Sequence, residues 1–181
     1  MVRPEPLPAG VIISNVTSNT ATVSYVTREG RRGCALVYSW RWLPQVKLVC
    51  DESGSVHRLD FFGLKPSTTY QMLIGHSLYW WNASSTDANP ALDKKKIASK
   101  APLPLIQTLS KDMIDNQKTM TMTGRVEDDS GLIQPGALVV VSKAGSDAVM
   151  STRANELGNF SLIIPVAIPT NTFGVSVWSE T

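Results

Sequence analysis

The sequence predicts an all-β protein built as two tandem β-sandwiches. Three observations carry that expectation. Apolar residues recur with period two over most of the chain, as in Ala21, Val23 and Tyr25 set between Thr20, Thr22 and Ser24. The 12 glycines and 11 prolines are spread along all 181 residues, so apolar runs are broken at strand length. Ser, Thr and Val are abundant, and Val and Thr suit a pleated, half-buried surface. With 43% apolar and 18% charged residues the chain has the means to bury a core without a metal. The net charge of +2, from 17 basic and 15 acidic groups, is too small for a nucleic-acid-binding footprint. No apolar run approaches the roughly 20 residues of a membrane-spanning helix, and Met1-Val2-Arg3-Pro4 opens no signal peptide.

Residues 1–9, rich in proline, are expected to form an extended N-terminal arm or linker. Residues 11–17 and 20–26 alternate around the polar pair Ser18-Asn19, which reads as strand, turn, strand. Arg28 to Gly33 makes the next break. Residues 34–40 and 46–50 read as a hairpin about Leu43-Pro44-Gln45, placing Cys34 and Cys50 symmetrically about residue 42. A cross-strand disulfide fits that symmetry, and so do two buried thiols acting as small apolar residues. A disulfide would imply an oxidising compartment. Asp51 to Gly54 ends the hairpin, residues 56–61 alternate again, Gly63 to Thr68 turns, and residues 70–77 form a longer strand. A last strand at residues 104–109 closes the unit after a loop rich in Ser, Asp, Asn and Lys.

Gly63-Leu64-Lys65-Pro66-Ser67-Thr68-Thr69-Tyr70 resembles the signature before the sixth strand of fibronectin type III domains, and Val16 to Tyr25 is similar to their first two strands. The resemblance covers roughly residues 4–110 and implies a seven-strand immunoglobulin-like sandwich. In it Leu64 would plug the core, and Tyr70 would form a tyrosine-corner hydrogen bond to nearby backbone. The sequence departs from the family at Tyr25, where tryptophan is usual, and at residues 79–100, which are long enough for an inserted loop.

Residues 111–118 read as a linker and 119–181 as a second unit. Residues 119–128 alternate, Gly131 to Gly136 turns into residues 137–142, and a hairpin follows from 148–153 through Asn155-Glu156-Leu157-Gly158 to 159–164. Gly124-Arg125-Val126, Pro135-Gly136-Ala137 and Gly158-Asn159-Phe160-Ser161-Leu162 resemble the carboxypeptidase-regulatory-like, transthyretin-like sandwich family over about 65 residues. That family usually continues past the strand matching residues 173–178, so this sandwich is expected to be incomplete: it continues in a longer polypeptide or is completed by another chain. The first 110 residues carry a net charge of +5 and the remainder −3.

The sequence presents no pattern expected of a catalytic residue, metal site or cofactor. His57 and Asp60 point to opposite faces of a strand and do not converge on an ion, leaving His57 as a surface or rim histidine. His76 shares a face with Tyr70 and reads as half-buried and hydrogen-bonded. No serine sits in a nucleophile elbow, no glycine-rich run resembles a phosphate loop, and neither cysteine has an activating histidine. Lys94-Lys95-Lys96 reads as a solvated loop. Aromatic residues stand out instead. Trp40 and Trp42 share a strand face, either packed in the core or forming an outer platform for sugars or another subunit. Trp80 and Trp81 cannot both point inward from a regular strand, which marks an interface contact. Asn15, Asn82 and Asn159 satisfy the N-glycosylation pattern, a mild sign of secretion.

These features read as a non-catalytic extracellular or cell-surface structural or adhesive protein, a self-assembling subunit of a filament or sheath. Its partners would be further copies or other extracellular proteins. The proline-rich arm would lie in an edge or groove of a neighbour, with an open edge of the second unit as the acceptor. The alternative is an accessory module for carbohydrate or protein in a larger secreted protein. Domains similar to the first unit precede the catalytic domain of metallophosphatase-type hydrolases.

Overall fold

The computed structural model describes residues 11–40, 44–76, 79–82, 105–111, 119–143, 149–165 and 173–179. All its regular elements are strands, in sandwich-like layers compatible with an immunoglobulin-like fold. The expected arm at residues 1–9, most of the expected linker and residues 83–104 lie outside the described residues.

Six strands form the first sheet: β1 (Ile12–Ser14), β2 (Thr20–Ser39), β3 (Gln45–Phe62), β4 (Thr69–His76), β5 (Tyr79–Asn82) and β6 (Leu105–Gln107). The expected breaks at residues 28–33 and 51–54 do not divide strands. β2 runs through the first and β3 through the second, and the ladder between them changes register between Val26 and Arg31 and again between Arg32 and Cys34. Such shifts bend and twist a strand without ending it. The N-terminal part of β2 therefore pairs with β1 and the end of β3, as in Ile13 opposite Val23 and Val23 opposite Leu59. Its C-terminal part pairs with the start of β3 and with β4, as in Leu36 opposite Leu48 and Leu73. The sheet curls back on itself into a nearly closed barrel around Val23, Tyr25, Val37, Leu59, Phe61, Leu64, Tyr70, Met72, Ile74 and Ile106. β5 and β6 share one edge of β4 in tandem, β5 beside Leu73 to His76 and β6 beside Thr69 to Gln71.

The remaining strands are β7 (Thr119–Arg125), β8 (Leu138–Lys143), β9 (Val149–Arg153), β10 (Asn159–Pro165) and β11 (Phe173–Trp178). β7 pairs with β10, and β8 lies between β9 and β11. Alternation divides β8 between two packings. Val139 and Val141 face Leu162 and Ile164 inside this group, while Leu138 and Val140 face Val56, Ile12 and Val26 of the first. Polar contacts rim that junction. The Asn15 N–H donates to the Val149 carbonyl (3.0 Å), Ser14 and Ser151 hydroxyls meet at 2.7 Å, and Arg153 donates to the Val56 carbonyl at 2.7 Å.

Candidate functional site

The hairpin of β2 and β3 has two unlike faces. Ala35, Val37 and Ser39 are buried, and the residues between them, Leu36, Tyr38 and Trp40, turn outward. On β3, Leu48 and Val46 stand opposite Leu36 and Tyr38 and are exposed. Leu73 of β4 is the partner of Leu36 on its other side and continues the apolar strip across the sheet. Tyr38 and Trp40 meet edge to face, with ring centroids 5.7 Å apart and an interplanar angle of 79°. Trp40 is nonetheless 77% exposed, which decides its sequence alternatives for the outer face. Beside it a hollow of about 240 Å³ is lined by Leu36, Tyr38, Ser39, Trp40, Pro44 and Val46. Partial burial raises the Tyr38 phenol above its ordinary value.

This lining says what the hollow can hold. Its side-chain polar groups are the hydroxyls of Tyr38 and Ser39, and Ser39 is buried. A sugar needs several convergent hydrogen-bonding groups, whereas an aliphatic or aromatic surface needs only contact and the release of water. Exposed apolar strips of this kind mark places of association.

Behind this face a buried polar chain adjoins the disulfide. Cys34 and Cys50 are direct cross-strand partners, bonded with Cα atoms 4.1 Å apart. Next to Cys34, the Gly33 N–H donates to Asp51 (2.9 Å), and the Asp51 carboxylate accepts from His57 Nδ1 (3.0 Å). His57 Nε2 then meets the Thr27 hydroxyl at 3.0 Å. The Tyr25 ring lies 4.7 Å from the imidazole, and its hydroxyl donates to the carbonyls of Cys34 (3.2 Å) and Gly75 (3.4 Å). Burial, and then the Asp51 charge, push the Tyr25 phenol well above its ordinary value. Gly33 is required here: a Cβ at that position would lie 2.3 Å from His57 Nδ1.

His57 was expected at the surface, and its 0% exposure corrects that expectation. The available signal was alternation, because His57, Leu59 and Phe61 share the inward face of β3. Thr27, His57 and Asp51 follow the atomic order of a hydrolase triad. The imidazole, however, is enclosed between Tyr25 and Gly33, and the Thr27 hydroxyl also reaches the Ser55 carbonyl (3.4 Å). In this setting the chain of bonds ties β2 to β3. His57 and Asp60 do lie on opposite faces, Asp60 accepting from Thr22 and Arg58 at 2.6 Å each. Among the described residues no group of three or more His, Cys, Asp or Glu is placed to hold a metal.

The other sequence candidates are scattered. Leu64 and Tyr70 are buried together, and the Lys65 N–H donates to the Tyr70 hydroxyl (2.7 Å), which itself donates to Gln45. Trp80 and Trp81 lie on β5 opposite Gly75 and Ile74, and Asn82 lies opposite Leu73. Trp42 and the three lysines at 94–96 lie outside the described residues. Asn159 is exposed at the start of β10. Asn15 spends its side-chain amide between the two groups of strands, donating to Thr22 (3.0 Å) and to the Ser151 carbonyl (2.9 Å). That junction had no counterpart in the sequence reading.

No protein-family model matches the chain, and no curated protein matches it. Among solved structures it is similar to the sensor domain of the anti-sigma factor RsgI4 of Pseudobacteroides cellulosolvens, at 16% identity over 61% of this chain and 99% of that one. The TM-score is 0.32, a likeness too loose to bear on function.

Proposed function

We propose that the chain is a non-catalytic extracellular structural protein that assembles with copies of itself, as in a filament or sheath, through the outer face of β2 and β3. The exposed strip of Leu36, Tyr38, Trp40, Val46 and Leu48 carries this reading. When a patch meets the same patch of another copy, any net charge on it would face its like, and this strip has none. The Cys34–Cys50 disulfide supports an oxidising compartment. The N-terminal part of β2, between β1 and the end of β3, and its C-terminal part, between β4 and the start of β3, support a fibronectin type III-like first unit; the β7–β10 and β9–β8–β11 sheets support a carboxypeptidase-regulatory-like second one.

The test is the assembly state of the full chain across a concentration series, by light scattering and negative-stain microscopy, beside Trp40→Ala. Self-association is expected in the wild type. Removing a central tryptophan should weaken it by about 2 kcal/mol, roughly thirtyfold in Kd. A wild type that stays monomeric at every concentration overturns the reading and leaves a binding module, to be screened against glycans with the same variant.

A further inference from the structure

The last five strands leave part of their own core uncovered. On β11, Val175 and Val177 stand opposite Val141 and Val139. Directly paired residues of an antiparallel ladder share a face, so both valines point to the side on which Val139 and Val141 are buried. Yet Val175 is 51% and Val177 45% exposed. Met120 of β7 repeats the pattern: its partner Ile164 is buried in the core, while Met120 is 40% exposed. Strand count explains both. Among the described residues the sheet β11–β8–β9 has three strands and the other has β10 and β7, and β10 packs beside β9. Among the described residues no strand pairs with the second edge of β7, where a third strand would stand across from β11.

We infer that this place is taken by residues 3–9 of a second copy, added as a strand along β7. The inference rests on the self-association proposed above and supplies it with a second contact. Arg3-Pro4-Glu5-Pro6-Leu7-Pro8-Ala9 carries proline at every second position. In an extended strand the N–H and C=O groups of alternate residues point to opposite edges, so all three missing N–H groups fall on one edge. Arg3, Glu5, Leu7 and Ala9 keep complete donor and acceptor pairs on the other. Such a strand pairs on one side and ends the sheet on the other, which is what an outermost position beside β7 requires. Its seven residues match the seven of β7.

Reach assigns the strand to a second copy. Ile12 packs with Leu138 and Val140 on the outer face of the β8 sheet, while β7 lies beyond that sheet and beyond the core. Two layer spacings of about 10 Å each separate them, roughly 20 Å in all. Ala9 is three residues from Ile12, a reach of about 11 Å at full extension. A chain's own arm thus cannot lie along its own β7, whereas a neighbour's can. Passing an arm from each copy to the next makes a head-to-tail contact that continues along a polymer.

The test uses the full chain carrying Leu7→Pro, which removes one N–H from the pairing edge of the arm. A synthetic peptide of residues 2–10 is added, and hydrogen exchange of the β7 amides is followed. The native peptide should slow exchange of β7 amides at least tenfold, and so should a Pro6→Ala peptide, whose change falls on the other edge. A Leu7→Pro peptide should give no protection. The inference is overturned if the native peptide leaves β7 unprotected, as occupancy by a continuation of the chain past Thr181 or by an unrelated partner would produce, or if the Leu7→Pro peptide protects equally. Unprotected β7 in a chain that still assembles through Trp40 refutes the arm alone. Protected β7 in a chain whose assembly Trp40→Ala leaves unchanged refutes the contact through β2 and β3 and leaves the docking of the arm in place; a wild type that stays monomeric at every concentration overturns both.

Discussion

Tyr25 is buried in the core of the first sheet, and its hydroxyl finds its partners there. It donates to carbonyls of two neighbouring strands, at Cys34 and Gly75, in a part of the core that already holds His57. Tyr25→Phe should cost about 1 kcal/mol at neutral pH, the net worth of such a bond. Its pH dependence is more telling. A phenol raised by folding keeps its contribution constant up to about pH 10, where the unfolded chain begins to ionise. Above that, the unfolded state sheds a proton that the folded state retains, and stability falls. Denaturant titrations at pH 8 and pH 11 should show a smaller alkaline loss in Tyr25→Phe than in the wild type, the rest coming in part from Tyr38. An equal loss in both would mean that Tyr25 does not couple folding to pH. Tyr25 and the inward side of β3 were legible in alternation alone. The fate of His57 is not legible from residue type, because its partner Thr27 lies on β2 and its partner Asp51 beyond the irregular stretch of β3, and only the folded register brings them together.

Strand positions were legible wherever short alternating or continuous apolar runs lie between turn residues, as for β1, β4, β8 and β10. What sequence did not reveal is continuity. Gly30, Gly33 and Gly54 look like loop residues, but here they let two strands bend through both layers, with the Gly30 Cβ position facing Gly54 backbone at 3.9 Å. The Cys34–Cys50 bond lies just past that irregular stretch, where the ladder resumes regular register. Closing a loop of 16 residues is worth about 3 kcal/mol in the chain-entropy account. The double variant Cys34→Ser, Cys50→Ser should lose about that much in a denaturant titration; a loss under about 1 kcal/mol would show that the ladder holds its register unaided. A second element has its own lock. The Asp128 carboxylate accepts from the N–H groups of Ser130 and Leu132, from the Ser130 hydroxyl and from Gln134, bonds that hold its pKa below the ordinary value of 3.8. A lowered carboxyl gives its support above the ordinary range and withdraws it as pH falls. The amide resonances of Ser130 and Leu132 should therefore titrate with a midpoint below 3.8. A midpoint at or above that value would show that these bonds do not favour the charged form.

At the scale of the whole molecule, the junction of the two groups of strands decides whether they behave as separate bodies. No pattern in the sequence announced it, because Leu138 and Val140 on one side of β8 and Val139 and Val141 on the other make an unbroken apolar run, and such a run does not say which residues face which neighbour. The structure divides them between two cores. Val56, Leu138 and Val140 are buried against one another, with Trp178 packed at their margin. Val140→Asp puts an unpaired carboxylate into that junction while leaving Val139 and Val141 in place, a cost of several kcal/mol charged to the junction first. In the wild type, thermal unfolding followed by Trp fluorescence and by far-ultraviolet dichroism should give coincident transitions, since neither group loses its partner without exposing Val56 and Val140. In Val140→Asp the two signals should separate, the fluorescence change preceding the loss of strand structure. Ile163→Asp places the same charge on an exposed position of β10 and should leave the transitions together. Separate transitions already in the wild type would mean that the shared core contributes too little to couple the groups; coincident ones in Val140→Asp would mean that the polar rim of Asn15, Ser151 and Arg153 suffices without it.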